Sequence, residues 1–191
     1  MIKTKKDLQF YIEEDRKRNH VPTGIRYYFQ LIAGVDQACI FRYFKCLRHY
    51  EYYTNNKRNN IFCTLLYFWY KYKWSRLGLK YGMRFDPNVC GYGIRVMHLC
   101  GGGGVRIRPK KCGNYCGFNA GVIIGTKEGE ENRPTIGDHV AFGPGSMAFG
   151  RITIGNNVFV APNAVVTKDV PDNSIVGGIP AKVLKQREPI E

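Results

Sequence analysis

The chain has 191 residues, with 29 Lys and Arg against 15 Asp and Glu, which gives a formal net charge of +14. Hydrophobic residues make up 44% and charged residues 23%, which is ordinary for a globular protein of one or two domains. The most apolar run, residues 61–70, is about half as long as a membrane span, so we expect no transmembrane helix. The N-terminus lacks the apolar core of a secretory signal, which favours a cytoplasmic location.

Seven cysteines, an odd number, exclude a fully paired set of disulfides. The sequence contains no C-x-x-C pair, and no histidine accompanies the closest pair of cysteines, so we expect neither a zinc site nor another metal. Buried free thiols in a reducing cytoplasm are the expected state. The cysteines are Cys39, Cys46, Cys63, Cys90, Cys100, Cys112 and Cys116.

Positive charge and aromatic residues are concentrated in the first part of the chain. Residues 1–80 hold 16 Lys and Arg, six Asp and Glu, and 18 of the 26 aromatic residues. This composition is compatible with binding of nucleic acid, of an anionic membrane surface or of a polyanionic substrate. It is equally typical of a solvated helical surface around an aromatic core, so composition alone leaves the partner open.

The first 82 residues show helical spacing and form the predicted N-terminal helical domain. Thr4 and Asp7 have the spacing of a capping box, and Leu8 and Ile12 follow at helical intervals. Two further helices are predicted across "DQACIFRYFKCLRHYEYY" and "IFCTLLYFWYKYKWSRLGLK", with a polar connection at residues 54–60. The aromatic residues of the last helix are expected to pack in a core, and contact with a membrane surface is the alternative.

A six-residue rhythm appears after residue 93. In each hexad the first position is apolar, the next is usually Gly or Ala, and the position four further along is small or apolar. Residues 126–135, "TKEGEENRPT", interrupt the rhythm and are predicted to form one extruded loop that carries binding residues. The first positions are Cys112, Phe118, Ile124, Ile136, Phe142, Ala148, Ile154, Val160 and Val166.

A repeat of six residues is typical of a short strand followed by a turn, with three repeats in each triangular coil. The first-position side chain points into the prism, and the small residue after it allows a tight corner. The hexad length fits the left-handed form, a departure from the usual right-handed crossover. The predicted fold class is therefore α+β, with a helical domain over residues 1–82 and a left-handed parallel β-helix over residues 83–191.

The segment "IGDHVAFGPGSMAFGRITIGNNVFVAPNAVVTKDVPDNSIVGGIPAKVL" resembles the C-terminal coils of hexapeptide-repeat acyltransferases. With "GIRVMH", the extruded loop and "DLQFYIEED" near the N-terminus, the chain is most similar to serine O-acetyltransferases and their relatives in polysaccharide gene clusters. The resemblance implies a homotrimer with acetyl-CoA, the co-substrate, in the cleft between neighbouring prisms. Whether the helices pair two trimers is left open.

The resemblance assigns the role of catalytic base to His98, the last residue of "GIRVMH". A neutral imidazole suits this chemistry, because it can take the proton of an alcohol that attacks a thioester, while backbone N–H groups stabilise the oxyanion. The glycines at positions 101–104 are expected to pack against another chain or a ligand. A phosphate-binding loop is not favoured there, since no G-K-[ST] follows. His139 is expected to be a surface residue.

The resemblance places the acetyl donor along the last coils. Thr167 and Lys168 would border the pantetheine arm and phosphates, and Lys182 and Lys185 would lie near the nucleotide phosphates, where charge-assisted contacts form. The competing interpretation leaves these lysines solvated. The corner residues that would line the cleft are Pro144, Ala161 and Pro162.

Departures from the family pattern concern the acceptor. Met97 stands where serine acetyltransferases carry an aspartate, and Asn132-Arg133-Pro134 replaces their Arg-His-Pro. Asp15 matches the N-terminal acidic position, and Arg133 is expected to contact a carboxylate or phosphate. These differences weaken serine as the acceptor and favour a hydroxyl of a sugar or surface-polysaccharide precursor.

The sequence therefore predicts an acetyl-CoA-dependent O-acetyltransferase that acts on a sugar hydroxyl, with serine O-acetylation as the nearest alternative. A non-catalytic trimeric scaffold, or a binder of polyanions or membrane surfaces on the same fold, is the alternative from another class. Nucleic acid is the less favoured partner.

Overall fold

The computed structural model describes residues 1–58, 60–99, 104–126 and 129–189. Helices come first in the chain and a parallel β-helix follows. The helices are α1 (Lys5–Arg18), α2 (Ile25–Ile32), α3 (Asp36–Asn56) and α4 (Ile61–Tyr81). α3 lies at the centre of the helical part, where it packs against the other three helices.

The N-terminus of α1 is the predicted capping box. Thr4 Oγ1 accepts a hydrogen bond from the Asp7 N–H (3.1 Å), and Asp7 Oδ2 accepts one from the Thr4 N–H (2.8 Å). α3 and α4 are the two further helices that the sequence predicts. α2 was not predicted from the sequence; it has eight residues and no side-chain cap at Gly24.

The predicted connection at residues 54–60 is too long, because α3 continues to Asn56. The polar side chains that suggested a loop bond instead to the helix's own carbonyls. Thr54 Oγ1 donates to Tyr50 O (2.7 Å), and Asn56 Nδ2 donates to Tyr52 O (2.9 Å). Such bonds let short polar side chains continue a helix whose other face is buried.

Fourteen short strands are described in the rest of the chain. They are β1 (Met83–Phe85), β2 (Arg95–Val96), β3 (Val105–Ile107), β4 (Lys111–Cys112), β5 (Gly117–Phe118), β6 (Ile123–Gly125), β7 (Thr135–Ile136), β8 (Ala141–Phe142), β9 (Met147–Phe149), β10 (Thr153–Ile154), β11 (Phe159–Val160), β12 (Val165–Val166), β13 (Ser174–Gly178) and β14 (Ala181–Gln186).

The strands stack in three parallel sheets, which are the three sides of a prism. Sheet A has the order β1-β3-β6-β9-β12, sheet B the order β4-β7-β10, and sheet C the order β2-β5-β8-β11-β13-β14. The chain visits the sheets in the order A, B, C and then begins the next coil. The final strand, β14, is the exception, because it pairs with β13 in antiparallel fashion.

The core of the prism is built from the predicted hexad positions. All nine first-position side chains, from Cys112 to Val166, are at most 2% exposed. Rings continue the stack between coils: Phe118 lies between Phe85 and Phe142, with centroids 5.6 Å away in each case. The prediction that residues spaced by six stack inside the solenoid is confirmed.

Small residues follow the first position because consecutive coils approach closely at the corners. A Cβ added at Gly137 would lie 2.8 Å from the backbone carbonyl of Gly155 in the next coil. At Gly143 it would lie 2.7 Å from the Pro162 nitrogen. Distances below 3.0 Å do not occur between real Cβ atoms and backbone, so larger side chains are excluded at these corners.

A buried cluster of charges joins the helices to the first coil. Arg48 of α3 pairs with Asp15 of α1 (2.8 Å) and with Glu51 (2.9 Å), and all three side chains are at most 2% exposed. Arg48 also donates to the carbonyls of Cys90 (3.2 Å) and Gly91 (2.5 Å). The two parts of the chain thus share a buried polar contact, and their division into domains at residues 82 and 83 stays a prediction.

α4 leaves much of its apolar surface uncovered. Trp74 is buried and donates to Tyr43 Oη (2.9 Å), but Phe62, Phe68 and Trp69 are each more than half exposed. The expected core packing is therefore wrong for these three rings, because α3 and β1 cover only one side of the helix. Among the described residues, no helix is both long and apolar enough to cross a bilayer.

The cysteines within the described residues are free thiols, as predicted, and all except half-buried Cys63 are buried. Cys100 and the glycines at positions 101–103 lie outside the described residues, as do residues 127–128 of the predicted loop. The described part of that loop ends at Pro134, because Thr135 already belongs to β7.

Candidate active site

His98 lies at the corner where the chain leaves sheet C after β2. The stacking is fixed by backbone bonds: the Met97 N–H donates to Phe118 O (3.0 Å), and the Asn119 N–H donates to Phe142 O (3.2 Å). His98 is exposed. We call this corner the His98 edge; in successive coils it consists of residues 97–99, 119–122, 143–146 and 161–164.

The N-terminus of α3 holds the backbone on both sides of His98. Asp36 Oδ2 accepts a hydrogen bond from the Leu99 N–H (3.2 Å), and Gln37 Nε2 donates to Met97 O (2.8 Å). These two bonds fix the peptide groups that flank the imidazole. Sequence reasoning missed both residues, because the contacts span about 60 positions and neither side chain belongs to a motif.

The predicted donor-binding residues of the cleft lie on the His98 edge. The Gly143 N–H donates to Val160 O and the Ala161 N–H donates to Val176 O, each a residue of the next coil (2.8 Å in both cases). These bonds stack Pro144 and Pro162 on one line. Pro144 lies two coils from His98, and Pro162 lies three coils from it. Both prolines are exposed and Ala161 is half-buried. The corner therefore offers a continuous row of outward-facing residues along the prism.

The row ends at β14, which carries Lys182 and Lys185. Both lysines are exposed, and Lys182 pairs in register with Gly177 of β13. Five inter-strand steps separate β2 from β14, a distance of roughly 24 Å at the usual strand spacing. An extended molecule with a reactive group at His98 would reach these lysines with its distal phosphates.

Thr167 and Lys168 lie on a different corner, where the chain passes from sheet A to sheet B. Thr167 borders a pocket of about 460 Å³ together with Phe149, Gly150 and Arg151. We call this corner the loop edge, because the described parts of the predicted loop lie there; it consists of residues 86–89, 108–110, 126, 129–134, 150–152 and 167–169. Within one chain, sheet A separates it from the His98 edge.

Arg133 is held against the loop edge by carboxylates. Its guanidinium pairs with Asp86 Oδ2 (3.2 Å) and with Glu130, and Arg108 binds the same two carboxylates (3.2 and 3.1 Å). Asp86 therefore serves this cluster on the loop edge and not His98. The expected contact between Arg133 and an acceptor stays a prediction, and it would require exchange of these ion pairs.

Asp15 lies in the interior, where its carboxylate is fully occupied. The side chain is 0% exposed, and besides Arg48 it accepts a hydrogen bond from the Ile94 N–H (3.0 Å). Burial raises the pKa of Asp15, and the charge of Arg48 opposes this effect. In this structure Asp15 anchors the segment that leads to β2, so the predicted direct contact with an acceptor has no open surface on which to form.

His139 is half-buried and not simply a surface residue. It has a positive φ of 57°, and its ring stacks on Tyr115 with centroids 5.1 Å apart. Within the part of the chain that the structure describes, no group of three or more His, Cys, Asp or Glu side chains is arranged to hold a metal ion.

Part of the chain is similar in sequence to serine acetyltransferases. The chain is 36% identical over 106 residues to the serine acetyltransferase of Synechococcus elongatus, a match that covers 54% of this chain and 43% of the relative. It is 34% identical over 117 residues to serine acetyltransferase 2 of Arabidopsis thaliana, which covers 60% and 36%. The chain thus spans less than half the length of the curated relatives it matches.

Solved structures extend the likeness to almost the whole chain. The serine acetyltransferase of Neisseria gonorrhoeae superposes with a TM-score of 0.67 at 24% identity, over 97% of this chain and 67% of that one. The Brucella abortus enzyme gives 0.69 at 19% identity, over 96% and 71%. In sequence over part of its length, and in fold over almost all of it, the chain is similar to serine acetyltransferases. No family model matches it.

The same superpositions confirm the predicted architecture of helices followed by a left-handed parallel β-helix. At these identities the likeness concerns the fold, and one of the superposed structures is described as a serine acetyltransferase complex with CoA. The roles of individual residues in this chain therefore rest on its own geometry.

The hydrogen bond that Asp36 accepts from the Leu99 N–H predicts that Asp36 positions the backbone beside His98 for any reaction in which this imidazole takes part. Asp36→Ala removes the oxygen that accepts the hydrogen bond from the Leu99 N–H. We expect kcat to fall roughly ten- to a hundredfold, since small displacements of a catalytic group have effects of this size. The KM for acetyl-CoA should change little. Steady-state thiol release at several acetyl-CoA concentrations measures both quantities.

Asp36→Asn is the matched control, because it keeps an oxygen in place of the carboxylate and should retain most of kcat. Unchanged kcat in Asp36→Ala, or equal losses in the two variants, would contradict the positioning role.

Proposed function

We propose that the protein is an acetyl-CoA-dependent O-acetyltransferase with His98 as its general base. The observation that carries the proposal is the position of His98. It is exposed on the edge that also presents Pro144, Ala161 and Pro162. The similarity to serine acetyltransferases supports this chemistry for the same fold.

The mechanism follows from the exposed imidazole and the backbone beside it. Neutral His98 takes the proton of the acceptor hydroxyl as its oxygen attacks the thioester carbon of acetyl-CoA. The tetrahedral oxyanion is stabilised by backbone N–H groups. The C–S bond then breaks, the acetyl group stays on the acceptor oxygen, and the imidazolium returns its proton to the leaving thiolate.

The donor is proposed to lie along the prism with its thioester near His98. Lys182 and Lys185 then meet phosphates, which matches ammonium groups that have no carboxylate partner among the described residues. Thr167 and Lys168 of a neighbouring copy border the donor, because the loop edge of that copy faces the His98 edge. A solvated role for all four side chains is the competing interpretation.

The acceptor is a hydroxyl compound, and two candidates compete. The names of the relatives support serine, and the comparisons favour it over a sugar hydroxyl. Against serine, Met97 supplies no charge beside His98, and Asp15 is buried. A sugar of a surface-polysaccharide precursor is the second candidate.

The two edges support a homotrimer. The His98 edge and the loop edge lie on opposite borders of sheet A, so one copy of the chain cannot close a cleft between them. A neighbouring copy that turns its loop edge towards His98 completes the site, and cyclic symmetry repeats this contact around a ring. Pairing of two trimers through the helices stays open.

Replacement of His98 tests the base. His98→Asn is expected to lower the rate of thiol release from acetyl-CoA by about 10²- to 10⁴-fold, the usual contribution of a positioned general base. The assay uses serine and a panel of sugars, including sugar phosphates, as acceptors.

His20→Asn is the matched control, because His20 is exposed and its φ of 52° suits asparagine. A near-normal rate in His98→Asn would remove the base assignment. Absence of thiol release with every acceptor would favour a non-catalytic scaffold.

Mixing two inactive variants tests the shared site. The first variant is His98→Asn, which disables the His98 edge. The second is a double variant, Thr167→Glu with Lys168→Glu, which disables the loop edge. Mixed and refolded together, they should recover about a quarter of the wild-type rate, the share of sites that random assembly builds from two intact edges.

The same two variants mixed without refolding are the control and should stay inactive. No recovery in trimers that mass spectrometry shows to be mixed would contradict a site shared between copies.

We further propose that the helical part docks on an anionic membrane surface. Residues 52–85 contain seven Lys and Arg and no Asp or Glu. A pocket of about 520 Å³ between α2 and α4 is lined by Arg42, Lys45 and Lys73. Cations in a pocket of this kind suit lipid phosphates.

The two helices also carry exposed apolar side chains, which lie outside the lining of this pocket. On α2 they include Phe29 and Ile32, and on α4 they include Phe68 and Trp69. Apolar side chains beside cations are typical of helices that lie in the membrane interface. The occupant that fits this surface best is a bilayer that contains anionic lipid.

Trp69 reports this contact directly, because it is 57% exposed whereas the only other tryptophan, Trp74, is 5% exposed. Vesicles of phosphatidylcholine with 30% phosphatidylserine should shift the emission to shorter wavelength and sediment the protein, and pure phosphatidylcholine should do so at least tenfold less. Phe68→Ser should weaken binding to the anionic vesicles.

Leu184→Ser, which changes an exposed apolar residue of β14, is the control and should bind as the wild type does. Equal binding to both kinds of vesicle, or no binding, would contradict the proposal. A smaller assembly mass in Phe68→Ser without vesicles would assign the surface to a second copy instead.

A further inference from the structure

The outward face of sheet C carries a hollow whose floor follows from the strand register. The outward residues of β2, β5, β8 and β11 stack in the order Arg95, Gly117, Ala141 and Phe159. The two smallest side chains lie in the middle, so a hollow of about 320 Å³ opens between the arginine and the phenyl ring. This volume falls in the range of small-molecule sites.

Three arginines from distant parts of the chain meet at this hollow. Arg18 ends α1, Arg95 belongs to β2, and Arg187 follows β14. Guanidinium groups repel one another, so their convergence costs free energy unless an anion lies between them. Arg187 is held in place through its N–H, which donates to Asn173 O (2.6 Å).

Arg95 retains an unused donor. Its Nε is buried and has no hydrogen-bond partner among the described residues. Buried donors without partners are uncommon in folded proteins, so the hydrogen-bonding capacity of Arg95 is not filled by the described residues.

The hollow has no negative charge of its own, since none of its described lining residues is acidic. Glu14 contacts one lining residue, Tyr115, whose Oη donates to Glu14 Oε2 (2.9 Å). Glu14 also accepts a bond from Lys17 Nζ (2.9 Å), and these two bonds lower the pKa of Glu14. Its charge is therefore balanced by Lys17 and does not neutralise the arginines.

The hollow opens beside the proposed base. Met97 lines it and immediately precedes His98, and Asn119 lines it from the next coil of the same edge. A molecule that fills the hollow thus extends to the His98 edge. This adjacency connects anion binding to the proposed reaction.

We propose that this hollow binds a phosphate or pyrophosphate group of the acceptor, whose hydroxyl then lies at His98. The inference rests on the proposed acetyl transfer and narrows its acceptor. Phosphate oxygens match several guanidinium donors at once. A serine carboxylate carries one charge and fills little of the hollow, whereas a phosphorylated sugar also offers a ring to Phe159.

Calorimetric titration of the full chain, without acetyl-CoA, tests the site. The probes are inorganic pyrophosphate, glucose 1-phosphate and, as a carboxylate, glucuronate. We expect both phosphate compounds to bind, with affinity that falls as salt rises, and glucuronate to bind at least tenfold more weakly. Arg95→Gln should weaken phosphate binding roughly ten- to a hundredfold, since it removes a charge-assisted contact.

Gly117→Val tests the hollow without a change of charge. A Cβ at Gly117 meets no atom within 4 Å, so valine fits the strand and fills the floor. We expect it to weaken binding as Arg95→Gln does. Arg106→Gln is the matched control, because Arg106 is an exposed outward residue of β3 on sheet A and should leave binding unchanged.

Wild-type affinity in both Arg95→Gln and Gly117→Val would overturn the site, as would an equal loss in Arg106→Gln. Glucuronate binding as tight as that of glucose 1-phosphate would overturn the choice of phosphate. Phosphate binding that depends on Arg95, with no acetyl transfer to any acceptor, supports the site and rejects the proposed function. Acetyl transfer to serine without phosphate binding rejects the site and retains the function.

Discussion

The structure depends on one buried cation. Arg48 contacts Asp15 on α1, Glu51 on its own helix, and two carbonyls of the first coil. Removal of one partner from such a cluster leaves an uncompensated buried charge, which costs about 3–5 kcal/mol. Because Asp15 also binds the Ile94 N–H, this cluster sets where the chain enters β2 and hence where the edge with His98 begins. The Arg48 cluster therefore links the position of the helices to the position of His98.

The six-residue spacing determines where chemistry can occur on the prism. Inward positions are filled by apolar stacking, so functional side chains occupy corners and outward strand positions. Corners stack in register, so residues far apart in the chain, such as Asn119 and Gly143, become neighbours on one line. Outward positions stack in the same way, and the column from Arg95 to Phe159 becomes a hollow because two of its members are small.

The solenoid could be predicted from the sequence because its period is local and repeats many times. Each hexad repeats the signal, so an error at one position does not change the interpretation. The helices gave a weaker signal: α2 is short and uncapped, and the side chains at the end of α3 bond to their own helix. The exposed rings of α4 have the same spacing as buried rings, and only the coordinates distinguish them.

The site was predicted only in part, for a related reason. His98 could be found from its motif, but Asp36 and Gln37 act through contacts across about 60 positions. Asp15 matches an acidic position of the family pattern, but the sequence does not show that it is buried. Its burial becomes visible only through its ion pair with Arg48, which lies 33 residues away. The arginines around the hollow lie on three separate elements, and no spacing in the sequence relates them.

The antiparallel strand β14 has a consequence for solubility. A stack of parallel coils would otherwise end in an open row of backbone donors and acceptors, onto which another molecule could add end to end. Here the last strand reverses direction, and its lysines place charge along the outermost border, a device that discourages such growth. The helices cover the opposite end, where α4 contacts β1. Both features oppose fibre-like self-association, the lysines at the border of sheet C and the helices at the side of β1.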